Sequence, residues 1–327
     1  MSTFPARRPR RLRTTPAMRN LVAETQVRPS DLILPMFIVD GLDAPREIPS
    51  MPGVYQHTFD SLRRAAEEAL EAGVPCIDLF GVPLDEDKDD TGSVAWDPQG
   101  ILNRGISCLH EEFGDDLIVM ADTCLDEFTS HGHCGVLDDK GRVLNDESVK
   151  LYQDMARSQA RAGAQIVSPS GMMDGQVAAI RADLDEAGHE DVAIMAYSAK
   201  YASAFFGPFR DAVGSSLEGD RRTYQQDPRN FRESLLEAEL DIEEGADFVM
   251  VKPGLPYLDV LSAVAETSPV PVAVYQVSGE YAMVKAAAAN GWIDGEAIML
   301  ESLTAFKRAG AGQILTYFAT EAARLLK

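Results

Sequence analysis

Eight short β-rich runs, separated by stretches of helical periodicity, constrain this chain more than any other feature of its sequence. The runs are Leu32 to Val39, Cys76 to Phe80, Leu117 to Ala121, Gln165 to Ser168, Val192 to Tyr197, Phe248 to Val251, Val272 to Tyr275 and Ile314 to Tyr317. Between them, apolar residues recur every three or four positions over Ser61 to Ala72, Glu147 to Ala162, Asp174 to Ala187, Phe231 to Glu244, Tyr257 to Glu266, Glu280 to Ala289 and Glu296 to Arg308, the spacing of amphipathic helices. Several of these segments run out in the same way, at Gly73, Gly163, Gly188, Gly245 and Gly310. Glycine enters the left-handed conformation that ends a helix without a Cβ penalty, so each marks the turn into the next strand. Strand and helix in repeated alternation predict parallel pairing, and eight such strands predict a closed α/β barrel.

In such a barrel the side chains at the C-terminal strand ends share one mouth, where chemistry resides. There the sequence puts Asp122 and Cys124, Ser168 and Ser170, Tyr197 and Lys200, Lys252, Tyr275 and Ser278, and Tyr317. The 327 residues and 45% hydrophobic content suit one large domain over residues 31–327,. No apolar run reaches bilayer length and no secretory apolar core is present, so a cytoplasmic location is expected. Four cysteines form no disulfide framework at this length and are expected to be free or metal-bound,. The net charge of −22 argues against a nucleic-acid partner,. It is unevenly spread: residues 1–30 hold seven arginines against Glu24 alone. This basic arm reads either as a loose tail or as an extension that wraps an acidic neighbouring subunit.

The loop D-T-C-L-D-E-F-T-S-H-G-H-C-G, residues 122–135, gathers Cys124, Asp126 and Cys134 within eleven residues just after a strand. Two thiols and a carboxylate suit a borderline-soft cation such as zinc, and three ligands would leave one position open for substrate. The plain alternative is a pair of buried thiols in a polar loop. Lys200 and Lys252 both sit at ends of apolar strands. Desolvation and a neighbouring ammonium lower a lysine's pKa and free the amine that attacks a carbonyl. Between strands five and six, residues 207–228 are rich in Gly, Ser, Asp and Arg without a period, as expected of a long mobile lid over the mouth.

These motifs resemble the porphobilinogen synthase (5-aminolevulinate dehydratase) family over nearly the whole chain. The resemblance rests on P-R-R-L-R at 9–13, the 122–135 loop, P-S-G-M-M-D-G-Q-V at 169–177, Y-S-A-K-Y-A-S at 197–203, G-P-F-R at 207–210, G-D-R-R-T-Y-Q at 219–225, M-V-K-P-G at 250–254 and Y-Q-V-S-G-E-Y-A-M at 275–283. It implies a (βα)8 TIM barrel with an N-terminal extended arm, assembled as a homo-octamer. It also implies condensation of two 5-aminolevulinate molecules into porphobilinogen, with loss of two waters. In that scheme Lys252 forms a Schiff base with the first substrate at the P side, and Lys200 engages the second at the A side. Ser278 and Tyr317 match the P-side carboxylate binders, and Arg210, Arg221 and Gln225 the A-side set. Ser170 and Tyr275 belong to the same substrate pocket, and Asp122 is expected to orient the substrate amine or move a proton.

The metal loop departs from the family's zinc branch, because Asp126 stands where the middle cysteine would be. A carboxylate is a harder and weaker donor to zinc, so other divalent ions should compete better. His131 and His133 are expected to support that site or line the pocket rather than ligate. Glu237 matches the position through which some members bind allosteric magnesium at a subunit interface; alternatively it is a solvated helix acid. Two rival readings are a class I Schiff-base aldolase, which needs neither the second lysine nor the Cys/Asp/Cys loop, and a noncatalytic oligomeric scaffold on the same fold.

Overall fold

The computed structural model describes residues 7–327. Its barrel strands are β1 (Leu32–Val39), β2 (Cys76–Val82), β3 (Ile118–Thr123), β4 (Ile166–Pro169), β5 (Ala193–Lys200), β6 (Phe248–Lys252), β7 (Val272–Gln276) and β8 (Gln313–Thr316). Neighbours pair in sequence order, all parallel, and β8 closes onto β1 with Leu32 opposite Ile314 and Ile33 opposite Leu315. The expected barrel is therefore present with its strand count. Nearly every strand position is buried, as closed parallel sheets wrapped by helices require. All five helix-ending glycines have left-handed backbones, with φ of 98°, 106°, 81°, 105° and 109° in chain order.

Four local features differ from the sequence reading. A two-strand ribbon, Arg46–Glu47 with Tyr55–His57, lies beside β1; strands of two and three residues are too short to show alternation. The helix Ile101–Phe113 has no counterpart among the expected segments. It carries Gly105, a weak helix former, at a point where a Cβ would lie 3.0 Å from Leu79 and 3.1 Å from Ile38, so the glycine serves close packing rather than helix propensity. The segment expected to form a lid is not wholly irregular: Gly207–Val213 forms a seven-residue helix with proline in its first turn, where proline is favoured. Two turns are too few to reveal a period.

The fourth difference bears on chemistry. Strand β5 runs three residues past Tyr197, and a bulge sets Tyr197 and Ser198 together against Met250. Two residues facing one reverse the side-chain alternation beyond that point. Tyr197 and Lys200, three apart, can therefore both face the barrel interior.

Residues 7–28 stand out from the barrel. They form a turn of 3-10 helix at Pro9–Arg13 and a short helix at Pro16–Leu21, with no buried residue in either. Residues 1–6 of the expected arm lie outside the described residues. No helix among the described residues is long and apolar enough to cross a membrane.

Candidate active site

Strands β5 and β6 hold Lys200 directly opposite Lys252 in register. Both are buried, at 4% and 7% exposure. Their ammonium nitrogens approach one ring, that of Tyr197, at 5.4 and 4.8 Å from its centroid. Lys252 also lies 4.2 Å from the Tyr275 ring centre, with Phe206 and Phe209 at 5.4 and 5.6 Å. The ring faces attract the cation but offer no hydrogen bond to replace lost water. Burial, followed by the charge of Lys200, brings Lys252 down to about 8, against the opposing pull of Asp122 and Asp78. Lys200 instead donates to the carbonyl of Ser170.

A cavity of about 260 Å³ opens above the two amines. It is lined by Ser278, Tyr275 and Tyr317, the hydroxyls of Tyr275 and Tyr317 lying 3.1 Å apart. The same cavity is lined by Ser170, Asp122, Asp126, Gln225, Arg221 and Arg210. Every sequence-predicted substrate and catalytic residue thus borders one space. Arg210 is exposed at the rim and makes no ion pair among the described residues. Burial, with the charge of Asp126, raises Asp122 to about 6 against the two lysines. One of its oxygens is buried without a partner.

Two carboxylates escaped the sequence reading. Asp78 on β2 is fully buried and accepts a 3.3 Å bond from the Tyr197 hydroxyl. Glu127 lines the cavity with neither carboxylate oxygen partnered among the described residues; burial and then Asp126 push it well above the ordinary carboxylate value. A signal existed for Asp78, an acid in the middle of an otherwise apolar strand.

Cys124, Asp126 and Cys134 are all buried, and each offers a donor atom within 4.8 Å of the others. Asp126 also borders the cavity, so a cation held there would face substrate. Two thiols and a carboxylate, brought this close with water excluded, fit a divalent cation of borderline softness. The same carboxylate is paired, however: Arg221 donates to it at 2.7 Å and to the carbonyl of Gly132 at 2.9 Å. Burial works against the charge of Asp126, but Arg221 and then Lys200 outweigh it and hold the carboxyl below its ordinary range. The residue expected to bind substrate and the one expected to bind metal are therefore engaged with each other. Cys134 is likewise held below the usual thiol value, since Cys124 and Arg221 overcome its burial, whereas burial drives Cys124 up.

His131 and His133 point away from the cavity, to the Asp90 carbonyl at 3.2 Å and the Tyr224 hydroxyl at 3.1 Å. They tie the 122–135 loop to its surroundings. Tyr224 and Ser216, within residues 207–228, also bond the backbone of Cys134 and Ser130, so that segment and the 122–135 loop form one unit. Glu237 lies apart, half-buried on helix Arg232–Glu243. Burial, with Asp174, Glu233 and Glu244 nearby, raises it to about 7, which is not the environment of a freely solvated acid.

Against known proteins, the family model described as delta-aminolevulinic acid dehydratase matches residues 6–325. A curated relative of that name from Mycobacterium tuberculosis is 64% identical over 323 residues, covering 99% of this chain and 98% of its own. One from Streptomyces coelicolor is 62% identical over 325 residues, again covering 99% and 98%. Among solved structures, the delta-aminolevulinic acid dehydratase of Toxoplasma gondii, in complex with the reaction product porphobilinogen, superposes with a TM-score of 0.96 at 48% identity. The match covers 98% of this chain and 92% of that one.

Proposed function

The chain belongs to the delta-aminolevulinic acid dehydratase family, and from that membership we propose how its barrel mouth joins two 5-aminolevulinate molecules into porphobilinogen. It is a hydro-lyase of porphyrin biosynthesis. The observation that carries the assignment of roles is the pair of buried amines flanking one tyrosine ring, in a cavity also lined by the hydroxyls of Ser278 and Tyr317 and the guanidiniums of Arg210 and Arg221.

The first substrate places its carboxylate on Ser278 and Tyr317, and its ketone meets the neutral amine of Lys252. Attack gives a carbinolamine, and loss of water gives the imine. The second substrate is held by Arg210, Arg221 and Gln225, and its ketone meets Lys200 in the same way. Asp122, next to both lysines, accepts and returns the protons that these steps move. Two imines held side by side replace a bimolecular encounter with an intramolecular one. The second substrate, as the enamine of its Lys200 imine, attacks the Lys252-bound imine carbon to form the carbon–carbon bond. The first substrate's amine then displaces Lys200, and elimination releases Lys252. The two waters lost in forming the imines are thus the two waters of the overall balance, and the second amine stays free.

Cys124, Asp126 and Cys134 would hold the divalent ion, zinc by its thiol content, and that ion would supply a Lewis acid toward substrate. Magnesium at Glu237 is a separate proposal supported by the carboxylates gathered there; stimulation by magnesium that survives Glu237→Ala would end it. The exposed Leu12, Leu21 and Val22 of the basic arm call for a neighbouring subunit to cover them, in line with a homo-octamer in the cytoplasm. Light-scattering mass with and without residues 1–25 decides the arm's part, and an unchanged mass counts against it.

Mixing the purified protein with 5-aminolevulinate and a divalent ion should give the pyrrole colour reaction of porphobilinogen. Its absence, with an aldol adduct formed instead, would favour the aldolase reading. Arg210→Ala should raise KM for 5-aminolevulinate by about 10- to 100-fold, the worth of a charge-assisted bond to a carboxylate, with a smaller effect on kcat. An unaltered KM would remove Arg210 from the lid's binding role.

A further inference from the structure

One buried carboxylate ties together the two ends of the Lys252 pocket without lining it. Glu280, 3% exposed in the first turn of helix Ser278–Ala289, accepts three backbone N–H groups. Leu255 donates to Oε1 at 2.6 Å; Gly254 and Val277 donate to Oε2 at 3.1 and 2.8 Å. Two donors belong to the segment leaving β6 directly after Lys252 and Pro253, and the third immediately precedes Ser278. The turn is fixed on its other side as well. The Ser278 hydroxyl accepts from the Phe209 amide at 3.0 Å, and a Cβ at Gly279 would lie 2.4 Å from the Phe205 carbonyl oxygen. Burial pushes the Glu280 carboxyl up to about 7 against these three donors; backbone N–H groups converging on its ionised form make stronger bonds than neutral pairs, and a dry setting stiffens them.

We propose that Glu280 is a positioning residue that fixes the span between the Lys252 amine and the Ser278 hydroxyl, and thereby sets the length of keto acid accepted there. The inference rests on the reading of Lys252 as the imine-forming amine and Ser278 as a carboxylate anchor. A 4-oxo acid bridges the two points with two methylenes; a 5-oxo acid must buckle to do so. With the frame rigid, one surplus methylene should be rejected by about 10- to 100-fold. With the frame loosened, both lengths should fit.

Borohydride trapping on the intact enzyme, with levulinate (4-oxopentanoate) and 5-oxohexanoate compared by mass spectrometry of the Lys252 peptide, tests this. Glu280→Gln keeps the shape but turns an NH2 group toward backbone donors on one side. It should reduce the preference for levulinate to about threefold or less while an adduct still forms on Lys252. Glu280→Asp, which keeps the charge and draws it back toward the helix, should lie between the two and serves if the glutamine variant does not fold. Unchanged length preference in a folded variant overturns the role of Glu280 and leaves the imine reading standing. Absence of any Lys252 adduct in the unsubstituted enzyme overturns the imine reading itself, and with it this inference.

Discussion

Lys252→Met should lower porphobilinogen formation by about ten-thousand-fold or more, which corresponds to about 5 kcal/mol of transition-state stabilisation. Methionine fills the aromatic box left by the lysine stem and removes a buried ammonium, so the loss should appear without a fall in melting temperature. The pH dependence of imine formation checks the cause. Only the neutral amine attacks, and Lys252 sits near 8 because burial and Lys200 disfavour its charge. At pH 7 about a tenth of such a group is neutral, against less than about a thousandth of an ordinary lysine. Trapping of levulinate on Lys252 should therefore accelerate as pH rises through about 8 and level off above it. A rate still climbing near pH 10 would mean an unperturbed amine, and residual activity of Lys252→Met near the original value would end its covalent role.

The fold was legible because its signals are long-range and repetitive. Eight apolar strands and five glycine stops report on backbone periodicity, which a chain must obey at every turn of the barrel. What escaped was short or locally compensated. The helix Gly207–Val213 spans too few residues to show a stripe, and Gly105 hides a helix behind a residue chosen for its lack of a side chain. The β5 bulge left no mark in the sequence either, because it depends on how Tyr197 and Ser198 meet Met250 across the sheet. Yet that bulge brings Tyr197 and Lys200 to the same interior.

The site was legible in identity more than in wiring. Strand-end logic and the family motifs named residues that border one cavity, including pairs far apart in the chain such as Lys200 and Tyr317. Neither could show that Asp78 lies under Tyr197, since β2 and β5 are not neighbours and their side chains meet only through the barrel interior. Nor could spacing reveal that Arg221 reaches across from the 207–228 segment to Asp126. A residue type suggests what a group can do; which partner it has chosen is a property of the packed state.

The contact between Arg221 and Asp126 gives the proposed metal site a testable signature. Treating the enzyme with phenanthroline should lower product formation by about 100-fold, and zinc should restore it. Asp126→Cys should raise zinc affinity by at least about tenfold, because a thiolate donates more charge to zinc than a carboxylate does. The same substitution removes the counter-charge of Arg221, whose side chain is only 12% exposed. A buried guanidinium stripped of its partner costs about 3 kcal/mol, and the carbonyl of Gly132 alone offsets little of that. The two effects have opposite signs under different conditions. Without metal, Asp126→Cys should melt lower than the unsubstituted protein; with zinc it should gain more in melting temperature on binding. If both proteins melt together without metal and gain equally with zinc, Asp126 is neither the weak ligand nor the anchor of Arg221, and the coupling of lid to metal loop through this pair is wrong.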